Sequence, residues 1–311
     1  MRNLAQSLYG RRSARRWLKF AGGVIALYLA LTLFLFLGQR RLVYRAGAKL
    51  AGSPSDADFQ MPYEEVWLSV AGTNERLHAW WIPAARSPFR ILSDEPAAVL
   101  QSPKTVLYLY GAGRNKGDAN YIARVSGLRQ LGFSVLVADY RGYGQSEGQP
   151  PHEAQFYADS QTLWDYLRRD RGLAPDEIVI YGESLGGAIA IQLASQQPEA
   201  AGLIVQSSFT SMRAAVNARG WTRLFPMRWL LTEEFDSLTR VRSLQVPVLF
   251  LHGTKDSVMP AAMSEALYAA APDPKQLFLI PDGDHVRIYQ PGAGSYLRAI
   301  ARFVRCQGWT E

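Results

Sequence analysis

Apolar residues along this chain fall into two kinds of run. One is a single charge-free stretch over residues 21–38. The others are short and apolar on successive residues, at 105–110, 133–138, 177–181, 202–206, 246–251 and 276–280. Runs of that kind suit strands buried on both faces, the signature of a parallel sheet. Between them lie 3.6-period patterns at 121–131, 156–169, 185–196, 261–271 and 296–305, which predict helices. Strand and helix alternate, so the pattern predicts an α/β chain with a mostly parallel, doubly wound sheet. Ahead of it, 63–70 and 75–82 read as a hairpin across Ala71-Gly72-Thr73-Asn74, and the polar, proline-containing stretch 83–104 reads as a surface loop.

The eighteen residues of 21–38 would span about 27 Å as a helix, close to the hydrocarbon thickness of a bilayer. Charge supports that reading. Residues 1–50 hold ten Arg and Lys and no Asp or Glu, whereas the remainder carries 24 basic against 27 acidic side chains. The high isoelectric point therefore belongs to the flanks of one apolar segment and not to a basic face, which argues against nucleic acid as a partner. Gln39-Arg40-Arg41 follows the segment directly, so it reads as an uncleaved signal anchor; a removed signal peptide or a buried helix are the alternatives. Six basic residues precede it and four follow, which tilts the N-terminus to the cytoplasm and the rest of the chain outside. The expected organisation is a basic segment over 1–20, the anchor, a stem over 39–60, and one catalytic domain over 61–311.

Candidate chemistry gathers at the C-terminal ends of the short runs, where open α/β sheets place their sites. Gly182-Glu183-Ser184-Leu185-Gly186 follows one run and opens a small-residue helix, the context of a nucleophile elbow that lifts Ser184 over the sheet edge. A serine needs a base and a group to orient that base. Of four histidines, His78 lies in the early hairpin, His152 at a helix start and His252 at a strand end before a Gly turn. His285 follows the last strand, as the base of such a triad should. Asp256, in His252-Gly253-Thr254-Lys255-Asp256, lies between Ser184 and His285 in the required order; Asp282 and Asp284 compete by proximity and suit turn roles better. Backbone N–H groups of Leu185 and of Ala112, in Tyr110-Gly111-Ala112-Gly113, are the candidate oxyanion donors. That loop lacks the spacings of a phosphate cradle. The lone Cys306 excludes an intrachain disulfide and reads as a packed helix residue.

These residues, with Asp139-Tyr140-Arg141-Gly142-Tyr143-Gly144-Gln145-Ser146, Ser207-Ser208-Phe209-Thr210-Ser211 and Val246-Pro247-Val248-Leu249-Phe250-Leu251-His252-Gly253, resemble the α/β-hydrolase superfamily and, within it, the Bem46-like, serine aminopeptidase-like group. The resemblance covers roughly 40–305. It implies a triad of Ser184, Asp256 and His285 and an oxyanion hole at Ala112 and Leu185. Two departures stand out: Tyr110-Gly111-Ala112 replaces the usual His-Gly-Asn, and Asp284 replaces a Gly before His285. Such folds carry a cap over the site, expected at 212–242. Its Trp221, Phe225 and Trp229, with Tyr110, are the candidate substrate contacts, and packing of the cap onto the core is the alternative for the cap residues. The expected activity is that of a membrane-anchored serine hydrolase acting on an ester, thioester or amide, with no metal or organic cofactor. A catalytically silent, membrane-tethered binding protein is the alternative, and the oligomeric state is open.

Overall fold

The computed structural model describes residues 2–46, 50–85, 104–285, 288 and 293–308. Most of the surface loop expected over 83–104, namely 86–103, lies outside them. The chain enters through helix α1 (Arg2–Tyr44) and then forms strands β1 (Glu64–Ser69) and β2 (Arg76–Ile82), the expected hairpin. Next come β3 (Thr105–Leu109), α2 (Ala119–Gln130), β4 (Ser134–Ala138), α3 (Glu153–Arg169), β5 (Ile178–Glu183), α4 (Leu185–Gln196) and β6 (Gly202–Gln206). Three short helices, α5 (Met212–Asn217), α6 (Met227–Leu230) and α7 (Ser237–Arg240), build the cap; β7 (Val248–Gly253), α8 (Ala262–Ala270), β8 (Lys275–Ile280) and α9 (Ala293–Cys306) close the fold.

The strands form one eight-stranded sheet in the order β1-β2-β4-β3-β5-β6-β7-β8. The β1–β2 and β2–β4 pairs are antiparallel and every other pair is parallel. Every residue of β3, β5, β6 and β7 is buried, because helices cover both faces of the central strands. Leu107, Ile180 and Leu203 lie side by side in register across β3, β5 and β6, each fully buried. Burying a side chain of that kind contributes about 1.5–3 kcal/mol. The edge strand β1 alternates instead, with Leu68 buried between exposed neighbours.

The N-terminal region departs from the expected stem. The segment Arg16–Tyr44 is long and apolar enough to cross a membrane, and none of its apolar window is buried. Yet the helix does not stop at Gly38. It continues to Tyr44, whose ring is buried in an edge-to-face arrangement with Phe156 at 5.1 Å and Phe235 at 6.5 Å. Met61 is buried as well. The end of α1 therefore packs onto the domain, because its aromatic residue has a hydrophobic slot to fill.

Candidate active site

The site assembles where β5 passes into α4. Ser184 caps α4 with φ 53 and ψ −116, a left-handed conformation that costs a non-glycine residue about 1–3 kcal/mol. The surroundings hold it there: its N–H donates to the Gln206 carbonyl at 2.9 Å, and its carbonyl accepts from Gly187 N–H and the Ser208 hydroxyl. A tight turn also needs close helix–strand approach. A Cβ on Gly186 would lie 2.0 Å from the Leu109 carbonyl oxygen, so only glycine fits.

Three side chains far apart in sequence meet at this turn. His285 Nε2 lies 3.1 Å from Ser184 Oγ, and His285 Nδ1 lies 2.6 Å from Asp256 Oδ2. Nδ1 must carry the proton facing the carboxylate, which leaves Nε2 to accept from the serine hydroxyl. The Asp256 carboxylate is fully buried and heavily hydrogen-bonded. Its Oδ1 accepts the N–H groups of Val258 at 2.9 Å and Met259 at 2.7 Å. Burial alone would raise its pKa, but hydrogen bonds from His252 and His285, the charge of His285 and the Met259 amide outweigh burial and hold it well below the usual carboxylate range.

His252 is the participant that sequence reasoning left aside. Its Nε2 lies 2.8 Å from the Met259 carbonyl and 3.2 Å from Asp256 Oδ2, and its Nδ1 lies 2.7 Å from Ser264 Oγ. A carbonyl can only accept, so Nε2 carries the proton and faces the acid as a second donor. The signal was present: a histidine ends a strand four residues before the acid. The other candidates sort as expected. His78 is buried beside Glu65 at 3.6 Å, His152 is the N-cap residue of α3, and Asp282 pairs with Lys255 at the surface.

Opposite the histidine, the loop after β3 presses against Ser184. A Cβ on Gly111 would sit 3.1 Å from Ser184 Cβ. Leu185 follows Ser184 and Ala112 follows Gly111, and among the described residues no protein acceptor takes either N–H. The loop is fastened from two directions. Gly113 N–H donates to the Tyr44 carbonyl at the end of α1 at 2.9 Å, and Lys116 N–H donates to Asp139 Oδ1 at 2.9 Å.

The structure gives the expected substrate contacts protein neighbours or open surface. Tyr110 is fully buried, stacked on Tyr121 at 5.2 Å, and its hydroxyl donates to Asp139 at 3.0 Å, so its ring supports the loop from below. Trp221 and Trp229 keep 53% and 77% of their surface exposed, and Phe225 stacks on Tyr28 of α1 at 5.5 Å. The cap turns these rings toward the N-terminal helix and outward. Cys306, expected to pack, is exposed. Among the described residues no cluster of three or more His, Cys, Asp or Glu could hold a metal ion.

Comparison with known proteins agrees with this architecture. A family model described as serine aminopeptidase, S33, matches residues 101–239. An uncharacterized protein of Mycobacterium tuberculosis is 34% identical over 273 residues, covering 88% of this chain and 89% of that one. Protein bem46 of Schizosaccharomyces pombe is 31% identical, covering 84% of each chain. Among solved structures, an esterase of Pyrococcus furiosus superposes with a TM-score of 0.65 at 19% identity, over 85% of this chain and 98% of that chain. On sequence shared along most of its length and on the sheet it folds into, this chain belongs to the α/β-hydrolase superfamily, as a relative of bem46.

Proposed function

We propose that this chain is a serine hydrolase, held at a membrane by α1, that cleaves an acyl ester or thioester through an acyl-enzyme; an amide is the less favoured substrate. The observation that carries the reading is the continuous hydrogen-bond relay from Ser184 through His285 to Asp256. In the first half-reaction Ser184 Oγ adds to the substrate carbonyl while its proton passes to His285 Nε2. Asp256 keeps Nδ1 protonated and stabilises the imidazolium. The oxyanion is received by the N–H groups of Leu185 and Ala112, for which no acceptor is found among the described residues. Collapse expels the alcohol or thiol, which takes the proton back from His285. Water then repeats the sequence on the acyl-enzyme, releasing the acid and restoring the serine. None of these steps calls for a metal or an organic cofactor.

The test is labelling of the full chain in detergent with a fluorophosphonate probe. Labelling that disappears in Ser184→Ala and falls sharply in His285→Ala supports the enzyme. Folded protein that does not react supports a binding or scaffold role instead. The basic excess before the apolar segment further supports a cytoplasmic N-terminus and an extracytoplasmic catalytic domain. Cys306 is the chain's one cysteine and is exposed, so a membrane-impermeant maleimide applied to intact cells reads the orientation directly. Labelling only after lysis would reverse the assignment.

A further inference from the structure

The cap does not simply cover the site; it runs along the anchor helix. Tyr28 stacks face to face on Phe225, with an interplanar angle of 2°, and its hydroxyl donates to the Leu224 carbonyl at 3.1 Å. Farther along, Gln39 donates to the Leu230 carbonyl at 3.1 Å and accepts from Thr232 N–H at 3.0 Å, and Arg40 pairs with Glu233 at 3.3 Å. Tyr28 lies ten residues inside Gly38, which is about 15 Å along a helix axis. A helix that crosses a bilayer therefore carries the Trp221–Leu224 turn with it, well below the level of Gly38.

The outward side of the cap has the composition that such a position requires. Trp221, Leu224 and Trp229 are exposed, Leu224 by 74%. Residues 212–232 contain Arg213, Arg219, Arg223 and Arg228, all exposed, and no Asp or Glu. Apolar and indole side chains beside arginines match the boundary between acyl chains and lipid phosphates. The arginines can extend toward headgroups while the turn beside them sits in the acyl region.

The seam between helix and cap is also tied to the site. A small cleft there is lined by Gln39, Arg40, Val43, Tyr44, Met212, Leu231 and Glu233. The Tyr44 carbonyl accepts from Gly113 N–H, in the loop that presses on Ser184. We propose that the cap is inserted into the leaflet adjoining the catalytic domain and that the substrate is a lipid acyl ester taken from that leaflet. The proposal rests on the serine hydrolase reading for its chemistry, while insertion is independent of it.

Two measurements on the full chain in phosphatidylcholine–phosphatidylglycerol vesicles decide it. Brominated acyl chains should quench tryptophan emission, and Trp221→Phe with Trp229→Phe should remove at least about half of the quenchable signal, since interfacial indoles lie within reach of the chains. Equal quenching in wild type and variant overturns insertion. In the second, Leu224→Glu puts a charge where hydrocarbon is proposed. Hydrolysis of monooleoylglycerol in the vesicles should fall at least about tenfold while that of p-nitrophenyl acetate is unchanged. Equal effects on both esters, or turnover of the soluble ester with none of the lipid, overturns delivery from the bilayer. Failure of Ser184 to react with fluorophosphonate would sink the hydrolase reading and leave insertion to be judged on quenching.

Discussion

Replacing Asp139 by asparagine tests what holds the candidate oxyanion loop. The carboxylate is fully buried, and its Oδ1 accepts the Tyr110 hydroxyl at 3.0 Å and Lys116 N–H at 2.9 Å. Its Oδ2 accepts Gln145 N–H at 3.0 Å and forms a short ion pair with Lys116 Nζ, which lies 4.8 Å from the Trp80 ring. An amide of the same shape keeps the first pair of bonds but sets an NH2 against two donors and leaves a buried ammonium unpaired. Breaking a buried pair in this way costs about 3–5 kcal/mol. Lys116→Met removes the charge from the other side and leaves Asp139 with three neutral donors, so its cost should be smaller, about 1–3 kcal/mol. Burial already pulls the Lys116 pKa down, with the Asp139 carboxylate offsetting only part of that, so the ammonium depends on its partner. Urea titration of the detergent-solubilised chain, followed by tryptophan emission, measures each single variant and the double variant. The double variant should be less destabilised than the sum of the singles, because the Asp139→Asn penalty is mostly the orphaned ammonium. Strict additivity, or Lys116→Met costing more than Asp139→Asn, would refute the reasoning.

Three further outcomes are expected. His252→Phe removes the second donor to Asp256 without touching substrate, and should lower kcat by roughly tenfold or more with little change in KM, as steady-state kinetics on a soluble ester will read. Gly144→Ala should destabilise the fold by more than about 1 kcal/mol in the same urea titration, because φ is 47 there and the new Cβ would lie 2.0 Å from Asp139 Oδ2. Asp256 is held below its unfolded pKa, so its contribution to stability is complete above about pH 4 and fades as pH falls through the depressed folded value. The stability gap between wild type and Asp256→Asn should therefore be constant from neutral pH to about pH 5 and close only in stronger acid; a gap that closes between pH 7 and 5 would contradict the hydrogen bonding described.

The parallel strands were legible because burial on both faces leaves unbroken apolar runs, and their ends marked the site. Boundaries moved by a residue or two, as at β7, expected over 246–251 and found at Val248–Gly253. The turn at Ser184 was legible because its glycines answer to backbone contacts fixed by the fold. What could not be read was which side chains the loops turn inward. Tyr110 directly precedes Gly111, which faces Ser184, yet its ring is fully buried against Tyr121 with its hydroxyl on Asp139.

The segment from Asp139 to Ser146 carries that lesson further: it bears part of the family resemblance, and its side chains hold neighbouring elements together. Asp139 ties the loop after β3 through Lys116, and Arg141 pairs with the buried Asp159 at 2.6 Å. The Ser146 hydroxyl closes the turn on the Asp139 carbonyl and accepts from His78 N–H on the adjacent strand. Tyr143, in the same turn, donates from its hydroxyl to the Tyr44 carbonyl at 2.8 Å, the oxygen that also receives Gly113 N–H. One carbonyl at the end of α1 thus joins the apolar helix, the 139–146 turn and the loop bearing Ala112. A stem read from composition hides this, since a backbone oxygen leaves no mark in the residue pattern; the consequence is that α1 is coupled to the geometry around Ser184 as well as to any membrane it crosses.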